Sequence, residues 1–111
     1  MELLAVFTTV SNQQEAEALA LGAIERELAA CVQAESIHST YRWKGGVAHS
    51  PEVRLLFKTT SAKYGALEAY LVSQHPYELP AIFALPVSKA TSSYAAWVRA
   101  SVSSAQGTSG A

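Results

Sequence analysis

Residues 37–60, IHSTYRWKGGVAHSPEVRLLFKTT, decide the fold. In an extended chain successive side chains alternate between faces. Ile37, Ser39, Tyr41 and Trp43 therefore share one face, and His38, Thr40 and Arg42 share the other. Lys44 to Gly46 supply a turn, since glycine tolerates positive φ. Beyond it Val53, Leu55 and Phe57 again fall on one face. The stretch reads as a hairpin whose arms run from about Ala30 to Trp43 and from roughly Val47 to Thr60. Pro51 cannot donate to a ladder, so it marks an edge or a bulge near the tip. Strands usually hold about five or six residues. At ~3.3 Å per residue, arms this long reach ~40 Å, farther than two helices of a small domain cover. The overhang carries Tyr41 and Trp43 and has open edges that invite pairing with another chain. An oligomer joined through these strands is expected.

The flanking sequence supplies the body. LLAVFTTV (3–10) is a first strand, followed by Ser11 and Gln14 at capping-box spacing. Ala16, Leu19, Ala20, Ala23, Ile24 and Leu28 then recur at helical intervals, predicting a helix that ends near Leu28. TSAKYGALEAYLVSQ (60–74) is a second helix, capped by Thr60 or Ser61, with Tyr64, Leu67, Tyr70 and Leu71 inward. It stops where Pro76 disfavours helical geometry at His75. AIFALPV (81–87) is a fourth strand, and SSYAAWVRASV (92–102) a last helix with Tyr94, Trp97, Val98 and Ser101 on one side. The order β-α-β-β-α-β with a terminal helix is the α+β, ferredoxin-like sandwich. One domain spans residues 1–102, and the small polar residues of 103–111 read as a loose tail.

Composition narrows the function classes. The 111 residues are 50% hydrophobic and 15% charged, which argues for one folded domain rather than disorder. A formal net charge of −1 with scattered charges leaves no electrostatic footprint for nucleic acid or an anionic membrane. No apolar run approaches the ~20 residues that cross a bilayer. MELLAVFTTV lacks a basic n-region and reads as a strand, not a signal peptide. The lone Cys31 fits a reducing compartment, so a cytoplasmic protein is expected.

Several stretches read together resemble a known family. LAACVQ (28–33), IHSTYRWKGGV (37–47), LLFKTT (55–60), HPYELP (75–80) and YAAW (94–97) are similar to the CutA family of divalent-cation tolerance proteins. The match runs in order over nearly the whole chain. The resemblance implies a ferredoxin-like protomer in a tight homotrimer, architecturally similar to the trimeric PII signalling proteins. It also implies a role in tolerance to copper and other divalent metals. Some members carry a cysteine at the end of the first strand, a histidine just before the HPY motif and a glutamate after its second proline. Those places here hold Thr8, Gln74 and Ala81.

The candidate residues carry competing readings. His75 is the sharpest metal candidate, for Cu(II) or another divalent cation. A histidine before proline also suits a helix end, where it donates to the last carbonyls. Cys31 is a second metal candidate, or a small buried hydrophobe at the start of a strand. Lys58, within the sheet, needs a carboxylate, a carbonyl or an anion, and Glu52 and Glu78 are available. Tyr41, Trp43, Tyr77, Tyr94 and Trp97 suit a core, a subunit interface or a ligand cleft. An acylphosphatase would need a glycine-rich anion loop with an arginine, which TTVSNQQ (8–14) lacks. An RNA-recognition module would need exposed aromatics and a basic face. No nucleophile, base and orienting residue assemble into an enzyme. The reading is a non-catalytic trimer acting in metal-ion response. The alternative is a PII-like sensor with Lys58, His75, Tyr77 and Trp97 around a small anion or metabolite between subunits.

Overall fold

The computed structural model describes residues 2–103 and has the element order β1 (Leu3–Val10), α1 (Gln13–Glu25), β2 (Cys31–Trp43), β3 (Gly46–Thr60), α2 (Ser61–Gln74), β4 (Ile82–Pro86) and α3 (Ser92–Val102). The four strands form one antiparallel sheet in the order β2-β3-β1-β4. Each long connection thus skips one strand, which is the split βαβ topology expected. Of the proposed tail, Ser103 caps α3, and 104–111 lie outside the described residues.

Register explains the shape. β1 covers β3 from Leu3↔Thr60 to Val10↔Val53, whereas β2 follows β3 without interruption from Cys31↔Lys58 to Trp43↔Gly46. Beyond Val53 the hairpin is a free two-stranded ribbon, from Ile37↔Glu52 outward, roughly 20 Å long. It stretches the molecule to 49 × 29 × 21 Å and the radius of gyration to 15.0 Å, against about 13 Å for a compact chain of this length. Its turn is tighter than three residues. Lys44 and Gly45 both take positive φ, 50° and 81°, giving the two-residue primed turn that matches strand twist. Gly46 already belongs to β3. Pro51 pairs with His38 on the ribbon, so it sits at an edge and makes no bulge.

The two faces of the sheet are treated differently. Val6, Val10, Val53, Leu55 and Phe57 point to the side covered by α1 and α2, where they pack with Ala16, Leu19, Ala23, Leu67 and Leu71. Tyr70 seals the two helices: its hydroxyl donates to Leu19 O at 2.9 Å, and the Arg26 guanidinium lies 4.9 Å from its ring centroid. On the opposite side α3 covers one end only, through Leu3, Ala95 and Val98. Phe83 and Leu85 remain about half exposed there, 50% and 53%, with Phe83 stacked on Phe7 at 5.3 Å.

Several local details differ from the expectation. The N-cap of α1 is Asn12, whose side chain accepts from Glu15 N at 2.8 Å, and the Glu15 carboxylate accepts from Ser11 N–H and O–H. Those bonds hold Glu15 below the usual carboxylate range. The helix ends at Glu25, not near Leu28, because Glu27 takes a left-handed φ of 57°. Leu28 N then donates to Ala23 O and Glu27 N to Ile24 O, the paired bonds of a Schellman ending. Ile24 turns outward, 39% exposed. In α3 Ala95, Val98 and Val102 are buried, while Tyr94 and Trp97 stay 37% and 49% exposed. Thr60 is the N-cap of α2, one of the two residues expected there, although its side chain makes no cap bond.

Candidate functional site

The chemistry-bearing residues gather where α2 ends, at the mouth of the free ribbon. His75 follows α2 as its C-cap and donates its N–H to Leu71 O, while its extended φ and ψ obey the restriction set by Pro76. The turn that follows sends the imidazole back onto the end of β1. Nε2 lies 2.9 Å from Thr9 O and 3.0 Å from Thr8 Oγ1. A carbonyl only accepts, so Nε2 carries the proton. Nδ1 accepts from Tyr77 N–H at 3.1 Å. The ring is therefore the neutral Nε2–H tautomer, with its one lone pair already engaged. Burial lowers the His75 pKa, opposed by the Thr9 carbonyl and more weakly by Glu15 and Glu52.

Tyr77 carries the connection outward. Its ring packs edge-on against His75, centroids 4.8 Å apart, and its hydroxyl donates to Glu52 Oε2 at 2.6 Å. Burial, then the Glu52 carboxylate, push the phenol pKa far up, so the proton stays on Tyr77. Glu52 sits at the root of the ribbon, so this bond ties the corner after α2 to the overhanging strands. On the same ribbon face Tyr41 reaches Ser50 Oγ at 3.1 Å. Between ribbon and corner opens a cleft of about 730 Å³ whose walls include Tyr41, Trp43, Glu52, Tyr77, Glu78 and Leu79. Its size falls in the usual range of small-molecule sites.

The other sequence candidates lie elsewhere. Cys31, half-buried, opens β2 opposite Lys58, on the sheet face away from Thr8. Lys58 places Nζ 5.7 Å from the centroid of Tyr94, in a smaller hollow of about 320 Å³ under α3 with Lys89 and Thr91. Its partner is an aromatic face rather than Glu52, which receives Tyr77, and within one protomer it lines a different hollow from the ribbon cleft. Trp97 packs against Tyr94 at 5.7 Å on the outer side of α3. The sequence reading thus missed Glu78 and Leu79 as cleft residues and placed Glu52 only as a partner for Lys58. The available signal was an acid following an aromatic in a short loop bounded by two prolines.

A four-stranded antiparallel sheet with two helices on one face, a third at one end of the other and an overhanging ribbon defines a ferredoxin-like protein with an extended central hairpin. Residues 4–101 match the family described as CutA1 divalent ion tolerance protein. The chain belongs to that family. It is 38% identical over 100 residues to the divalent-cation tolerance protein CutA of Thermotoga maritima, covering 90% of this chain and 99% of that one. It is 41% identical to a CutA homolog of Xenopus laevis and 40% to the human protein CutA, covering 86% of this chain in each case. It spans 64% and 54% of those two proteins' own lengths. CutA from Synechococcus elongatus superposes with a TM-score of 0.89 at 42% identity, covering 91% of this chain and 90% of that one. The same protein has been solved complexed with a Bis-Tris molecule, matching at a TM-score of 0.85 and 42% identity over 90% of this chain and 93% of that one. Among the described residues, no helix is long and apolar enough to cross a membrane.

Proposed function

We propose that this chain acts in divalent-cation tolerance as a cytoplasmic, non-catalytic homotrimer. The observation that carries the reading is the family match across residues 4–101. The oligomer draws support from the half-exposed Phe83 and Leu85, which lie on the same side of the sheet as Tyr41 and Trp43 of the ribbon. Exposed apolar patches of this kind mark interaction surfaces. The lone cysteine supports a reducing compartment.

High-affinity metal binding is not part of the reading. The residues do not fit a copper centre: the His75 lone pair is engaged by Tyr77 N–H, and Cys31 lies across the sheet. Among the described residues no three His, Cys, Asp or Glu side chains gather as a metal site. Tolerance would then come from a partner or a small ligand. That second reading, a trimeric sensor, is favoured by the cleft beside Tyr77 and by the Bis-Tris complex of the Synechococcus elongatus relative.

Two measurements test this. A strain lacking the protein should grow less well in graded Cu(II) and Zn(II) and recover when the chain is restored. Unchanged growth at every dose would remove the tolerance role. Calorimetric titration of metal-free protein with Cu(II), Zn(II) and Ni(II), with mass determined on the same sample, should show only weak binding that His75→Ala leaves intact. A saturable micromolar site abolished by that substitution would reinstate His75 as a ligand.

A further inference from the structure

The cleft at the root of the ribbon has a chemical sign. Its aromatic walls are Tyr41, Trp43 and Tyr77, and its charged side chains are the carboxylates of Glu52 and Glu78; no lysine, arginine or histidine is among its described lining residues. We propose that this cleft binds a small organic ammonium ion, drawn by its aromatic walls and its two carboxylates. The proposal rests on the small-ligand reading above and gives that ligand a class.

Three features carry it. Ring faces attract cations within about 6 Å of the centroid, most strongly once water is displaced, and this preference suits diffuse, weakly hydrated ammonium groups. The Trp43 ring already does so within the chain, holding Lys44 Nζ at 5.7 Å from its centroid. The Glu52 carboxylate spends one acceptor position on the Tyr77 hydroxyl, and a carboxylate offers about four. The hydroxyl bond also orients it at the cleft wall without neutralising it. A hard divalent ion is a poorer occupant, since it requires about six converging oxygen ligands, whereas three of the five groups here are rings. A small anion would meet two carboxylates, and the nearest cation, Lys44, lies against the Trp43 ring rather than among the lining residues.

Three probes of nearly equal shape separate the classes: choline, its neutral isostere 3,3-dimethylbutan-1-ol, and the anion 3,3-dimethylbutanoate. The full chain carries two tryptophans, so Trp97→Phe leaves Trp43 as the reporter, with mass measured on the same samples. Choline should change Trp43 fluorescence saturably and the other two should not. Glu52→Gln keeps an oxygen for Tyr77 and should weaken choline about tenfold, as loss of one opposite charge at the cleft wall implies. Glu78→Gln provides the second variant if the first misfolds, and Lys44→Met should tighten binding by removing a competing cation. Saturation by the neutral or anionic probe with affinity equal to or above that of choline overturns the ammonium assignment while the cleft reading stands. No response to any probe, with Trp43 shielded from acrylamide, means that a second copy fills the cleft, and both fall. No response with Trp43 open to acrylamide removes both equally.

Discussion

Replacing Phe83 by alanine tests whether the open side of the sheet is a surface or an interface. Phe83 is 50% exposed and stacks on Phe7 with an interplanar angle of 17°. A phenylalanine side chain buries roughly 200 Å² when fully covered, so about 100 Å² remains for a neighbour to cover. At about 25 cal/mol per Å² that is ~2.5 kcal/mol per copy, and roughly 2 kcal/mol after allowing for the methyl group alanine retains. Three copies make about 6 kcal/mol, or roughly four decades in the trimer dissociation constant. The midpoint concentration varies as the square root of that constant and should rise about a hundredfold. Leu21→Ala is the control, because Leu21 is 59% exposed on the outer side of α1.

Dissociation followed by light scattering on serial dilution measures the midpoint directly. Thermal unfolding at several concentrations then separates the assembly effect from the lost Phe7 stack, which costs about 1 kcal/mol at any concentration. A Phe83→Ala midpoint within about threefold of the parent, as for Leu21→Ala, would mean that this face stays wet. The trimer would then need another surface.

Four further outcomes follow from the geometry. His75 has a folded pKa below its ordinary value, so its contribution to stability is complete above about pH 6.5 and is lost as pH falls through the lower folded value; denaturant unfolding across that window should show the parent losing stability faster than His75→Gln. Glu27→Gly relieves a left-handed residue with a Cβ and should raise stability by about 0.5–1 kcal/mol in urea unfolding, whereas a loss would mean that the side chain matters. Tyr70→Phe removes the donor to Leu19 O and should cost about 1 kcal/mol. Gly22→Ala should cost at least as much, since its Cβ would collide with that same hydroxyl.

The hairpin was legible because period-two alternation and a glycine turn are local signals, and no tertiary contact is needed to read them. The boundaries that moved did so for equally physical reasons. A helix end usually carries glycine at the left-handed position, and here Glu27 fills it without changing the periodicity around it. In α3 the shared side of Tyr94, Trp97 and Val98 is legible, yet only Val98 is buried; Tyr94 meets Lys58 across a hollow and stays partly exposed. The contacts of the site were hidden for a different reason. Thr8 meets His75, and Glu52 meets Tyr77, only because β1, β3 and the corner after α2 come together in the fold, and no spacing in the chain records those meetings.

The rigid HPYELP corner, at 75–80, therefore does mechanical as well as chemical work. His75 holds it to β1 through Thr9 O, and Tyr77 holds it to β3 through Glu52, so one loop fixes the ribbon against the body. An isolated two-stranded ribbon is only marginally stable, and this tie reaches its root. Tyr77→Phe keeps the ring and deletes the donor, removing a charge-assisted bond of about 1.5–3 kcal/mol without emptying the site. Hydrogen exchange should then accelerate in residues 37–43 and 46–52 by tenfold or more, as a loss of about 1.4 kcal/mol in local stability requires. Exchange in α1 and α2 should not change, because their core lies on the covered face of the sheet. Measuring at dilutions that bracket the assembly midpoint distinguishes two supports for the ribbon. Acceleration only in the dissociated protein would show that a neighbouring copy holds the ribbon in the assembly; acceleration in both states would make Tyr77 the strut throughout. Equal exchange in parent and variant at every dilution would refute the strut, and the 2.6 Å bond would then orient Glu52 for the cleft alone.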